Sequence, residues 1–221
     1  MANDTGIFNL RTIGAPTPWL VRTGAVEQIT DSGKAVLEAA RVSVVVDLRE
    51  PDEVPARRAD LPVVNVPLYG TTPPVIGTLE SVYETLLRER GTALTAAVGV
   101  VADADGSALV HCTAGKDRTG LVVALARLAA GDDENEVVAD YAASGPEVRK
   151  VRLTHAQQAA VGHEDSAGIM RLHLDSPPAA MHYALSIIAE WGGARDYLRT
   201  HGLTERQLFA LQSKARGNRA A

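Results

Sequence analysis

Ala108-Leu109-Val110-His111-Cys112-Thr113-Ala114-Gly115-Lys116-Asp117-Arg118-Thr119-Gly120-Leu121-Val122-Val123-Ala124 is the stretch from which the rest of the chain can be read. Ala108 to His111 is short and apolar, as a buried strand is, and Thr119 to Ala130 is almost wholly apolar, as a buried helix is. The segment between them therefore brings its backbone amides to a helix N-terminus, where unpaired N–H groups and the helix dipole favour an anion.

Two more strands can be read outward from this one. Val42-Ser43-Val44-Val45-Val46-Asp47-Leu48 is β-branched and suits a strand covered on both faces, and Val63-Val64-Asn65-Val66 is a shorter one stopped by Pro67. Leu20-Val21-Arg22 reads as an edge strand. Helices fall between these strands: from a cap at Asp31 to about Ala40, from Leu79 to about Val101 with a break near Gly91, and from the capping pair Asp133/Glu136 towards Ala143. From Pro146 only helical periodicity remains, over about 146–160, 178–190, 193–200 and 204–215. This alternation predicts an α/β fold: a central, mostly parallel sheet of about four or five strands flanked by helices. The chain reads as a single domain over 1–221, with an α/β core at about 7–145 and a helical C-terminal part at about 146–216.

Composition narrows the functional classes. The chain has 221 residues, 46% hydrophobic and 22% charged, enough for one sizeable core and too apolar for disorder. A net charge of -5 and an aromatic content of 4% argue against nucleic acid as a partner. No apolar run is long enough to span a membrane, and Met1–Leu10 lacks the pattern of a signal peptide, so a cytoplasmic setting is expected. The single cysteine, Cys112, cannot form an internal disulfide and fits a reducing compartment.

The chemistry lies in the turn itself. Gly115 and Gly120 let the backbone, with Thr113 and Ala114, curl closely round an oxyanion. Arg118 offers a planar fork of donors for two phosphate oxygens. Cys112 lies at the base of this cradle, where an electropositive setting lowers a thiol into the ~3.5–7.5 range and makes it a nucleophile. Thr119 is placed to donate to that sulfur, His111 to orient the loop, and Lys116 to add charge towards the substrate. In isolation a cysteine after a strand is usually a small core residue and a glycine pair a turn. The combination arises by chance with odds below roughly 10⁻⁵ at ordinary residue frequencies. A Walker A loop is excluded, since Gly115-Lys116 is followed by Asp117. One cysteine and scattered histidines, His155 and His163 among them, give no metal-ligand spacing, so neither metal nor cofactor is expected.

The stretch resembles the signature loop, Cys-x5-Arg, of the cysteine-dependent tyrosine and dual-specificity phosphatases. Its Ala-Gly-Lys-Asp-Arg-Thr-Gly variant is most similar to the bacterial tyrosine and phosphoinositide phosphatases. Phe8-Asn9-Leu10-Arg11, Leu20–Ala25, Val45–Arg49 with Glu53-Val54, Val138–Tyr141 and Tyr197–Gly202 resemble further family segments in the same order. The resemblance implies hydrolysis of a phosphomonoester through a cysteinyl-phosphate, with Cys112 attacking phosphorus and Arg118 and the loop amides holding its oxygens. The partner it implies is a phosphorylated substrate: phosphotyrosine, a phosphoinositide, or a sugar or nucleoside phosphate. Many relatives carry their general acid in the loop after the next strand, but Val66–Pro74 has no carboxylate here. Asp117 inside the cradle is the favoured acid and Asp47, at the end of its strand, the alternative.

The short span from Pro67 to His111 leaves little room for an inserted lid and predicts an open pocket. Two other classes share part of this pattern. A phosphate-binding module without turnover would keep the cradle. A sulfur-transfer or arsenate-reducing enzyme would need four residues between cysteine and the basic residue, or further thiols.

Overall fold

A computed structural model describes residues 5–54 and 61–219, so the first residues of the Met1–Leu10 stretch lie outside it. The described chain runs β1 (Arg11–Ile13), β2 (Leu20–Thr23), α1 (Asp31–Ala39), β3 (Val42–Asp47), a 3₁₀ turn (Pro51–Glu53), β4 (Val63–Asn65), α2 (Leu79–Glu89), α3 (Gly91–Asp103), β5 (Ser107–His111) and α4 (Asp117–Ala130). Six helices follow: α5 (Glu134–Ala142), α6 (Ser144–Ala160), α7 (Ser166–Leu174), α8 (Pro178–Glu190), α9 (Ala194–Thr200) and α10 (Glu205–Arg219).

The sheet has five strands in the order β1-β2-β5-β3-β4, parallel except for the antiparallel β1–β2 pair. It is the mostly parallel α/β architecture expected from the alternation of strands and helices. Leu20–Arg22 is not an edge, because β1 pairs outside it. β5 lies at the centre with all five residues buried, which is why its sequence is a continuous apolar run. Side chains alternate between the two faces. Leu20, Val46, Ala108 and Val110 join the larger core with α2, α3, α4, α8 and α10, while Val21, Val45 and Leu109 join a smaller one under α1.

Helix ends follow local chemistry. Thr30, not Asp31, caps α1 by accepting from Gly33 N–H, and Asp133 caps α5 by accepting from Asn135 and Glu136 N–H. The break between α2 and α3 falls at Arg90–Gly91, where a Cβ on Gly91 would stand 2.3 Å from the His201 ring. α4 is buried almost all round, including Arg127, which ion-pairs Asp132 at 2.6 Å. α10 packs on α4 and α3, so the helical tail closes the same core. Helix α7 was not expected from the sequence. No helix of the described residues is long and apolar enough to cross a membrane.

Strand register places Thr23, Asp47, Asn65 and His111 in one row at the carboxyl edge of the parallel strands. Open α/β sheets place their ligand sites on this edge.

Candidate active site

Residues 112–116 turn from the end of β5 into α4, and the carbonyls of Cys112 to Gly115 are held from outside the turn, while Lys116 O accepts from Gly120 N–H in α4 at 2.8 Å. Cys112 O faces His111 Nδ1 at 3.2 Å, and Thr113 O accepts from Ala25 N–H at 3.2 Å. Ala114 O accepts from Asn9 Nδ2 at 3.1 Å, and Gly115 O from Asn9 Nδ2 at 2.9 Å and Arg22 Nη2 at 2.8 Å. A trans peptide points its N–H opposite its C=O, so carbonyls held outward turn the following amides inward. Among the described residues no acceptor is engaged by the N–H groups of Thr113 to Arg118. Gly115 has φ +66, and a Cβ there would lie 2.2 Å from Thr23 O. Only glycine fits against β2 in that conformation.

The outer carbonyl holders form one charged network. Asp140 in α5 accepts from Arg11 at 2.8 Å and Arg22 at 2.6 Å, and both arginines also bond Ser144 Oγ. Burial alone would raise the Asp140 carboxyl, but the Arg22 and Arg11 charges hold it below its ordinary value. Arg11 Nη1 donates to Asn9 Oδ1 at 2.5 Å, which fixes the amide that grips the loop. Nothing in the sequence analysis assigned Asn9, Arg11, Arg22, Asp140 or Ser144 to the site.

Cys112 is 3% exposed, at the base of the turn. Arg118, 6% exposed, directs its Nη1 and Nη2 to Glu53 at 2.5 and 2.8 Å. Its Nε makes no hydrogen bond to a described residue, so one edge of the guanidinium is fixed and the other is free. Glu53 Oε1 also accepts from Thr113 Oγ1 at 2.7 Å. Burial would raise the Glu53 carboxyl, but the hydrogen bonds and charge of Arg118 dominate and hold it at about 2. The Arg118 guanidinium stacks on Tyr69, 4.9 Å from the ring centroid. Glu50 in turn fastens the Tyr69–Gly70 turn by accepting both N–H groups, at 2.8 and 3.2 Å.

Asp117 opens α4 with one oxygen, Oδ1, accepting from Tyr83 Oη at 2.6 Å and Lys116 Nζ at 2.7 Å. Tyr83 also meets Tyr141 Oη at 2.6 Å, and its hydroxyl, fully buried and beside Asp117, is held neutral well beyond the ordinary phenol range. Thr119 is buried, and its hydroxyl has no hydrogen-bond partner, the Cys112 sulfur included. Gly120, in the first turn of α4, leaves room for the Tyr141 ring, which a Cβ would approach at 3.0 Å.

Two expected roles differ from the geometry. The Lys116 ammonium is fully buried on Asp117 and on the carbonyls of Leu172 and Asp175, at 3.1 and 2.8 Å. Its charge ties α7 to the loop. Asp47 places both oxygens on Arg49, at 2.9 and 2.8 Å, with His111 Nε2 at 3.8 Å. Burial opposes ionisation there, but the Arg49 hydrogen bond and the His111 charge hold the Asp47 carboxyl below its ordinary value. A carboxylate so committed is a pillar under the loop, not a free acid.

The α6–α7 pair packs Val148, Ala156 and Leu174 against Phe8 and against Ala114 of the loop. Among the described residues no group of three or more His, Cys, Asp or Glu side chains could hold a metal.

An amide-lined turn over a buried cysteine, with an arginine fork beside it, defines a cysteine-dependent phosphatase. The tyrosine phosphatase family model matches residues 5–216, and the chain belongs to that family. It is 29% identical over 227 residues to a tyrosine-protein phosphatase of Nostoc commune, covering 91% of this chain and 76% of that protein. It is 54% identical over 44 residues to the triple specificity protein phosphatase PtpB of Mycobacterium tuberculosis, covering 20% of this chain and 16% of that one. The crystal structure of P. aeruginosa TpbA superimposes with a TM-score of 0.37 at 20% identity, over 77% of this chain and 97% of that one.

Proposed function

We propose that residues 1–221 act as one catalytic unit that hydrolyses phosphomonoesters of the phosphotyrosine or phosphoinositide type through a cysteinyl-phosphate. The Cys112 sulfur attacks phosphorus, the P–O bond to the leaving group breaks, and the leaving oxygen takes a proton from Asp117. Water then attacks phosphorus, giving its proton back to Asp117, and the P–S bond breaks to release inorganic phosphate and the thiolate. The inward amides of residues 113–118 and the free edge of Arg118 hold the three equatorial oxygens, where negative charge concentrates. The unpartnered Thr119 hydroxyl stabilises the sulfur as it leaves.

The observation that carries this reading is the outward locking of four successive carbonyls, Cys112 to Gly115, which leaves the amides facing a common centre. Tyr83 and Lys116 on one oxygen of Asp117 leave the other for the leaving group, which supports Asp117 over Asp47 as the acid. A metabolite phosphatase is the second reading, favoured by the loop Val66–Pro74, which lacks a carboxylate. The name of the mycobacterial relative speaks for the broader protein-phosphatase range.

The test is turnover of p-nitrophenyl phosphate alongside orthovanadate binding. Cys112→Ser abolishes turnover and keeps anion binding, and Arg118→Ala loses both. Intact binding with no turnover in the unmodified protein would leave only a phosphate-binding module. A panel of phosphotyrosine peptide, phosphoinositide and sugar or nucleoside monophosphates separates the substrate classes.

A further inference from the structure

The cations around the loop are almost all spent. Arg11 and Arg22 pair with Asp140, Arg49 with Asp47 and Glu27, Arg118 with Glu53, Arg149 with Asp175 and Arg171 with Glu80. Arg152, in the third turn of α6, is different: among the described residues it has no carboxylate partner. Its Nη2 lies 3.3 Å from His155 Nδ1, a neutral acceptor that leaves the guanidinium its full charge. The His155 ring in turn faces His173 of α7 at 6.0 Å between centroids, so imidazoles flank Arg152 on this side.

Arg152 is half-buried and lines a cleft of about 650 Å³ together with Glu53 and Thr113, the residue that follows Cys112. The volume suits a small polar ligand such as a polyol ring. Two carboxylates, Glu27 and Glu53, also line the cleft, but Arg49 and Arg118 already neutralise them. The cleft thus opens beside the cup with one uncompensated cation on its wall. Burying such a charge is costly unless a ligand pairs it.

We infer that Arg152 selects the substrate by receiving a second phosphate, carried by the same molecule as the scissile phosphomonoester and lodged in the cleft on the Thr113 side of the cup. The assignment rests on the phosphatase reading for the first phosphate, and adds a residue and a direction to it. Burial disfavours the Arg152 charge, and a phosphate lodged in the cleft supplies the partner that the described residues do not. An arginine is suited to the task because its planar fork matches phosphate geometry.

The experiment compares inositol monophosphate and inositol bisphosphate as soluble substrates, with the same bisphosphate headgroup on a lipid in vesicles as a second arm. We expect kcat/KM to favour the soluble bisphosphate by about tenfold. That ratio falls about fivefold or more in Arg152→Ala and is partly kept in Arg152→Lys. A ratio unchanged by Arg152→Ala, or a preference seen only on vesicles, overturns the assignment. The same two ligands titrated into Cys112→Ser, with and without Arg152→Ala, decide the matter without turnover. A bisphosphate advantage lost with Arg152 upholds the assignment even if the phosphatase reading fails, and equal affinities refute it.

Discussion

Glu53 grips Arg118 through both carboxylate oxygens, 2.5 Å from Nη1 and 2.8 Å from Nη2, and takes the Thr113 hydroxyl as well. The pair couples the 3₁₀ turn after β3 to the first turn of α4, and fixes which edge of the guanidinium meets a ligand. Glu53→Gln keeps the shape and removes the charge. We expect kcat/KM for p-nitrophenyl phosphate to fall about tenfold or more, because the fork is less firmly held. A Glu53→Gln enzyme with unchanged kinetics would remove Glu53 from the machinery.

The same carboxyl fixes a sign for pH dependence. Its folded value, about 2, lies below the ordinary 4.5, so the stability it contributes is complete above about pH 4.5 and is lost as pH falls from there through 2. Acid unfolding followed by circular dichroism should be less steep over that window in Glu53→Gln than in the unmodified protein.

Asp140 holds two guanidinium groups, of which Arg22 grips the Gly115 carbonyl directly and Arg11 acts through Asn9. Replacing it by Asn leaves Arg11 and Arg22 facing each other without a counter-charge, and Arg22 has a side-chain exposure of only 1%. The expected loss is about 3–5 kcal/mol in denaturant unfolding, together with weaker phosphate binding. A loss confined to binding, with stability unchanged, would contradict the network's structural role.

Gly115 is forced by geometry. Gly115→Ala sets a Cβ against Thr23 O in a left-handed backbone, at an expected cost of about 1–3 kcal/mol and with loss of orthovanadate affinity. Calorimetry of unfolding and of vanadate binding reads both effects.

Asp117→Asn should depress kcat most for phenyl phosphates with poor leaving groups, and Tyr83→Phe should show the same trend more weakly, since Tyr83 only orients the carboxylate. A uniform fall across all leaving groups speaks against Asp117 as the acid.

What could be read from sequence was local. The β5–turn–α4 unit is contiguous, its strand and helix are predominantly apolar, and Cys112, Gly115 and Arg118 fall within seven residues of one another. β3 and β4 were legible because β-branched runs favour strands, although β4, at the edge of the sheet, is only half-buried. β1 was missed because three residues, one of them Arg11, carry no periodicity. Asn9, Arg22, Glu53 and Asp140 fall in segments that resemble the family but carry no role there, because each reaches the loop or its neighbours across 60 or more positions, or through a partner that does. The contacts of Lys116 are hidden in the sequence for a related reason. Its acceptors, Leu172 O and Asp175 O, belong to the end of α7, a helix that amphipathic patterning had not revealed.

The most direct measurement is acid quenching of the enzyme during turnover of a fast aryl phosphate, followed by mass spectrometry of the peptide that contains Cys112. The account requires one phosphoryl group on the Cys112 sulfur, enriched in Asp117→Asn and absent in Cys112→Ser. Turnover with no phosphoryl adduct on that peptide, in any of the three proteins, would contradict it.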